Sequence, residues 1–267
     1  MQQPVAAKNP SPVSPKRTRP QFPAVPGHSL SPTSSGCISD GTGNRFLAPL
    51  PGQVFNVDQS LIENAARRLR ARSNLHWIVG GSCSGKSTIC RAISERTGTP
   101  VYDMDAHIYG VYMSRYSPSR HPASCAWFRR PDALRWVLTL SWDEFSGLAA
   151  AVDAEMLDLL SDDLDEQDET VPVLVDGGIT HPAVLAAAVR PAQIACLAVA
   201  DSESRRIWDT DPYRCEMRMA VRQSPGSQGA WRTFLDFNKR ISETAEDESR
   251  RAGIRIHTRS AALSVDA

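Results

Sequence analysis

Nine consecutive residues, Gly80-Gly81-Ser82-Cys83-Ser84-Gly85-Lys86-Ser87-Thr88, carry the clearest chemical signal in the chain. From Gly80 to Ser87 they satisfy the spacing G-x-x-x-x-G-K-[ST] in full. Each residue type has a task in that spacing. Glycines let a loop take positive φ and turn backbone N–H groups towards a phosphate. A helix that starts at the loop offers its free N–H groups and its positive dipole end to the same anion. The Lys86 ammonium reaches β- and γ-phosphates, and the Ser87 hydroxyl is placed to ligand Mg²⁺. Lysines occur only at 8, 16, 86 and 239, so a chance match is rare, on the order of one in several hundred. A glycine-rich turn without a ligand is the competing reading.

Two carboxylate motifs follow. Val101-Tyr102-Asp103-Met104-Asp105 places acids at i and i+2 after a short apolar run. Val173-Leu174-Val175-Asp176-Gly177-Gly178 ends a second run on an acid. Open α/β sheets bind ligands beyond the carboxyl ends of their strands, so both are candidate site residues. Asp176 has the placement of an acid that holds Mg²⁺ directly or through water. Strand-end turn formation (Asp103, Asp105) and capping of the next helix (Asp176) are the alternatives. His181-Pro182 reads as the start of that helix. Arg205 and Arg206, then Arg214, Arg218 and Arg222, form a later supply of guanidinium groups. The last three recur every four residues and share one helical face.

These residues need elements to position them. Val57 to Arg72 has helical spacing, with Val57, Leu61, Ile62, Ala65 and Leu69 on one stripe. Its terminal arginines, Arg67, Arg68, Arg70 and Arg72, suit a solvated helix end. Strands are expected at Leu75–Val79, Pro100–Met104, Val171–Val175, Ile194–Val199 and Ile254–His257, and a helix at Lys86–Thr97. Strand–helix alternation implies a parallel sheet with helices on both faces. The stretch 107–170 is long, and its acidic run from Asp162 to Glu169 reads as a solvated loop. That stretch also holds Arg115, Arg120, Arg129 and Arg130 among Tyr109, Tyr112, Tyr116, Trp127 and Phe128. Those groups suit either ordinary packing or the grip of a planar or phosphorylated molecule. Trp208, Trp231 and Phe234 are expected to pack helices against the sheet.

The run Gly80-Gly81-Ser82-Cys83-Ser84-Gly85-Lys86-Ser87 resembles the loop of uridine kinase and its relatives in the P-loop kinase group, which includes adenylate, shikimate and gluconate kinases. The resemblance is specific over 75–105 and weaker out to about 257. It implies a P-loop NTPase three-layer α/β fold with a five-stranded parallel sheet in order 2-3-1-4-5. It implies ATP and Mg²⁺ as cofactors, a substrate region inserted at 107–170 and a lid at about 202–225. It assigns Lys86 to the transferring phosphate, Ser87 to Mg²⁺, Asp103 to Mg²⁺ or to support of the glycine loop, Asp176 to Mg²⁺ or the substrate, and Asp105 to the acceptor hydroxyl. It also makes lid arginines, Arg214 and Arg218 first, candidates for the phosphate. Nucleotide kinases follow Asp-Gly with an aromatic, Pro and Arg. Here Gly178, Ile179 and Thr180 follow, which argues against a nucleoside monophosphate acceptor.

Composition sets outer bounds. The chain has 267 residues, 41% of them hydrophobic, enough for one sizeable domain with a tail. Thirty basic residues balance thirty acidic ones, so no overall field favours nucleic acid or an anionic membrane. No apolar run reaches the ~20 residues of a membrane span. Six cysteines without a C-x-x-C pair read as buried reduced thiols in a cytoplasmic protein. Residues 1–54 are rich in Pro and Ser and read as a disordered tail, with a transit peptide as the alternative. Residues 55–267 are expected to form the domain. The function expected is phosphoryl transfer from ATP to a small-molecule acceptor such as a sugar, a nucleoside or a coenzyme precursor. A regulatory ATPase or a degenerate kinase acting as a binding module is the rival. No N-K-x-D guanine signature is present.

Overall fold

Short runs rich in Val, Ile and Leu form five strands in a computed structural model of the chain. They are β1 (Leu75–Gly80), β2 (Val101–Asp103), β3 (Val173–Asp176), β4 (Ile194–Ala198) and β5 (Arg255–Thr258). All neighbours pair in parallel, in the order β2-β3-β1-β4-β5. This is the expected order 2-3-1-4-5. The structure describes residues 54–131, 133–165, 167–223 and 229–259, with a two-residue antiparallel pair, Ile38–Ser39 on Arg45–Phe46. Apart from that pair and Val54, the segment 1–54, expected to be a disordered tail, lies outside the described residues.

Between the strands run α1 (Gln59–Leu69), α2 (Lys86–Thr97), α3 (Met104–Ile108), α4 (Tyr112–Arg115), α5 (Pro122–Phe128) and α6 (Ala133–Val137). They are followed by α7 (Trp142–Asp165), α8 (Pro182–Ala188), α9 (Asp201–Thr210), α10 (Cys215–Gln223) and α11 (Ala230–Arg251).

Strand side chains alternate between two faces. Leu75, Trp77, Val79, Val173, Val175, Ile194 and Cys196 join the main core with α1, α7 and α8. Ile78 and Leu174 face the other way, onto Cys90, Ile89 and Ile93 of α2. The register sets Ile78 opposite Asp176, Gly80 opposite Leu197, and Asp103 opposite Asp176. The carboxyl ends of β1, β2 and β3 therefore open at one edge, beside the glycine loop.

The stretch expected as an insert holds a core helix. Along α7, fifteen residues are buried, including Asp153, Glu155 and Asp158. Each acid has donors. Glu155 accepts from the N–H groups of Ala123 (2.9 Å) and Ser124 (2.7 Å) at the start of α5. Asp158 accepts from Arg120 Nε (2.6 Å) and Nη2 (2.7 Å) and lies 3.1 Å from His121 Nε2. These partners hold its carboxyl down at about 2 against the desolvation that would raise it. Asp163 accepts from the hydroxyls of Tyr102 (2.6 Å) and Tyr112 (3.1 Å) and pairs with Arg115.

Three sequence expectations change here. The acidic run does not begin as a solvated loop: Asp162 to Asp165 continue α7, where Asp162 pairs with Arg68 and Asp163 gathers two tyrosines. The cause is the supply of donors on α1, β2 and α4, invisible to a local reading of charge. Arg72 is not at a solvated end. It is buried at 2% exposure and donates to the Leu164 and Gln167 carbonyls, satisfying backbone acceptors at the end of α7. Trp208, Trp231 and Phe234 do not sit on the sheet. They pack on one another, with Trp208–Phe234 centroids 4.7 Å apart, and tie α9 and α10 to the start of α11. Among the described cysteines, all free, Cys90, Cys125 and Cys196 are buried, whereas Cys83 and Cys215 are partly exposed. Cys37 lies outside the described residues. No helix among the described residues is long and apolar enough to cross a membrane.

Candidate functional site

The glycine loop is shaped by what surrounds it. Gly80, at the end of β1, has φ 134°, and a Cβ there would fall on the Leu197 carbonyl of β4. A Cβ on Gly81 would fall on the Ser242 hydroxyl of α11. Cys83 (φ 66°) and Gly85 (φ 97°) are also left-handed, and Gly85 caps α2 without a side-chain hydrogen bond. No acidic residue lies in the first turn of α2. Its free N–H groups and dipole therefore meet no acid from the helix's own first turn. Gly80→Ala is expected to destabilise the fold by at least ~2 kcal/mol, through forced φ and the Leu197 clash. Urea unfolding checks this, and an unchanged midpoint would contradict the geometry.

Lys86 opens α2 and folds back over the loop. Its Nζ donates to Gly80 O (2.9 Å) and Gly81 O (3.0 Å). Desolvation lowers its pKa, and Asp105 and Asp176 oppose that shift.

Asp176 ends β3, buried at 8% exposure, and its Oδ1 has no hydrogen-bond partner. Burial raises its pKa, while the Ser87 hydroxyl and Lys86 pull it down. Ser87 and Asp176 thus meet at the mouth of the loop. A small hard cation fits this donor set: one hydroxyl and one carboxylate, whose Oδ1 is in want of a partner. Among the described residues no group of three or more His, Cys, Asp or Glu gathers to hold a metal alone. Mg²⁺ held here would complete its shell with phosphate and water oxygens.

Asp103 and Asp105 diverge. The Asp103 carboxylate accepts from Ala106 N (3.0 Å) and caps α3, the turn-forming alternative. Asp105 lies one residue into α3 and lines the cleft. Desolvation raises its carboxyl and Lys86 opposes the rise.

The cleft has a volume of about 610 Å³. Gly80, Ser82, Cys83, Gly85, Lys86, Ser87 and Thr88 line it on one side, and Asp105, Asp176 and Arg214 also face it. Gly81 and Ser84 are buried behind the loop. No protein-family model matches this chain, and no curated protein matches it. The function therefore rests on the cleft itself.

Of Arg205, Arg206, Arg214, Arg218 and Arg222, one lines the cleft. Arg214 lines the cleft and stacks over Trp208 at 4.4 Å. Arg218 is turned away, donating to the Trp208 (2.8 Å) and Asp209 (2.7 Å) carbonyls at the end of α9. Arg222 lies over Trp231 at 5.2 Å. The four-residue spacing does not carry Arg214 onto the face of the others, because α10 begins only at Cys215. Arg205 pairs with Asp201 and Asp236, and Arg206 with Glu203.

Tyr109, Trp127 and Phe128, for which packing and grip were both open, line the cleft, and Asp153, Ile207, Asp211 and Arg259 line it without having been singled out in the sequence. Asp153 had one usable signal, an acid within the apolar stretch Ala149-Ala150-Ala151-Val152. Its Oδ2 accepts from Thr180 N (3.0 Å), Thr180 Oγ1 (2.9 Å) and His181 N (2.7 Å). It thereby anchors the loop after β3. His181 does precede Pro182 at the start of α8, as expected, and its Nδ1 lies 2.9 Å from Glu248 Oε1.

Burial raises the Asp153 pKa from 3.8 to about 6 despite those donors. Between those values the folded chain keeps a proton that the unfolded chain has lost, so this group's contribution to stability falls as pH rises from about 4 to 6. Asp153→Asn removes that dependence. The variant's stability relative to wild type is expected to improve across this window in urea titrations at several pH values. A pH-independent difference would mean that the carboxyl titrates alike in both states.

Proposed function

We propose that the chain is a phosphotransferase that moves the γ-phosphoryl group of ATP to a hydroxyl of a small molecule, within a P-loop kinase-like fold. The observation that carries this is convergence. An uncapped helix start, an ammonium on the loop carbonyls, a serine beside a buried acid with a bare oxygen, and one guanidinium all face a single cleft.

In this reading the loop N–H groups and the start of α2 hold the triphosphate. Lys86 leaves the Gly80 and Gly81 carbonyls to meet the β- and γ-oxygens. Ser87 and Asp176 would hold Mg²⁺, which supplies charge neutralisation between those phosphates. Arg214 meets charge on the equatorial oxygens of the transferring group. The acceptor oxygen forms a bond to the γ-phosphorus as the bond to the β–γ bridging oxygen breaks. ADP leaves with that electron pair, and the hydroxyl proton passes to Asp105.

The test is ATP consumption by purified protein with Mg²⁺ over a panel of acceptors, with ATP binding measured separately. Stimulation by an acceptor, together with its phosphorylated product, supports transfer. ATP binding with no stimulation by any acceptor moves the reading to a nucleotide-driven switch or binding module.

A further inference from the structure

We propose that the acceptor is a flat, ring-bearing alcohol without negative charge, bound most tightly when its ring carries N–H groups or a positive charge. This rests on the phosphotransferase reading above and extends it to substrate class.

The first support is shape. Tyr109, Trp127 and Phe128 line the cleft, with Met156 of α7 beside them. Their rings are ordered by one another. Trp127 and Phe128 stack at 5.5 Å and 14°, Tyr116 stacks on Phe128 from elsewhere in the wall, and Tyr109 meets Phe128 edge-on at 89°. An ordered aromatic wall suits a planar guest, which stacks on it at little entropic cost.

The second support is charge. Asp105 shares its α3 face with Ile108 and Tyr109 at helical spacing, and Asp153 shares its α7 face with Met156. All five line the cleft. Asp153 takes three hydrogen bonds on Oδ2, and among the described residues none falls on Oδ1. The acceptor side thus presents two carboxylates.

The third support is where the cations are. Arg115 is paired with Asp163, Arg120 with Asp158, Arg129 donates to the Tyr116 carbonyl, and Arg130 lies over Trp136 at 4.7 Å. None of the four lines the cleft. The cations that do are tied to the phosphate side. Lys86 is in the loop, Arg214 is stacked on Trp208, and Arg259 donates to the Cys83 carbonyl (3.4 Å). A phosphate or carboxylate on the acceptor would meet Asp105 and Asp153, while Lys86 and Arg214, the cations that act on Asp105, are committed to the nucleotide phosphates in this reading, an arrangement that disfavours it. A ring with N–H donors or positive charge meets acids and π-faces, which favour it.

The test uses two matched arms. Hydroxymethylpyridines and ribonucleosides form one, and their phosphate esters together with hydroxy acids form the other. Binding is read by quenching of tryptophan fluorescence, and transfer by phosphorus NMR of the product with ATP and Mg²⁺. At least one member of the first arm is expected to bind and to accept phosphate, with the second arm at least tenfold weaker. Trp127→Ala is expected to raise the KM of that acceptor about tenfold or more, because stacking on an aromatic is worth ~1–3 kcal/mol. Binding in the first arm without transfer supports the ligand class and overturns the transferase reading. Transfer to an anionic acceptor overturns the class and keeps the transferase. Failure of every ring alcohol to bind, or an unmoved KM in Trp127→Ala, also overturns the class.

Discussion

Lys86→Ala is expected to lower acceptor-stimulated ATP turnover by more than ~100-fold, because it removes a preorganised charge aimed at the transferring phosphate. The loop should survive the change. Its shape comes from Gly80 against Leu197 and Gly81 against Ser242, neither of which involves the lysine side chain. Of the two carbonyls that accept from Nζ, that of Gly80 belongs to a residue lining the open cleft, where water can replace the ammonium. The melting temperature is therefore expected to move little while turnover collapses. Steady-state kinetics alongside a thermal melt separates the two. Near-normal turnover would remove Lys86, and with it the loop, from the chemistry.

Asp105→Asn is expected to cost ~10²–10⁴ in kcat, the usual weight of a positioned general base. The amide keeps the shape of the side chain and loses the ability to take a proton. ATP affinity should hold, since the loop, Ser87 and Asp176 are untouched. Lost ATP affinity would instead move Asp105 to the nucleotide side of the cleft. A pH signature accompanies the wild type. Desolvation raises the Asp105 carboxyl, so the base is lost to protonation at a higher pH than an ordinary aspartate would be. The acid limb of the rate profile should sit correspondingly high and vanish in the variant.

The sequence was most legible where a signal is local. The helix Lys86–Thr97 was expected with the observed bounds, because Gly85 and Gly98 mark its two ends. The five strands were legible as apolar runs, with ends displaced by one or two residues. Met104 was expected in the second strand and instead opens α3, since the Asp103 carboxylate caps a helix there. Long-range partners were not legible. Arg72 looked like a solvated end because nothing near it in sequence reveals the Leu164 carbonyl. Arg218 looked equivalent to Arg214 because a four-residue repeat says nothing of where the helix starts. Trp127, Phe128 and Asp153 reach the cleft only through the packing of α5 and α7. Their residue types alone fit a core equally well.

The acids of α7 have a consequence for how the cleft can open. Glu155 holds the start of α5, Asp158 holds Arg120 and His121, and Asp163 holds Tyr112 and Arg115. These grips follow one another along a single rigid rod. The short helices beside the cleft are therefore tied to α7 at three successive points, and are expected to detach from it together and not one at a time. The polar grip leaves out Trp127 and Phe128, which are held by ring packing instead, Trp127 on Phe145 of α7.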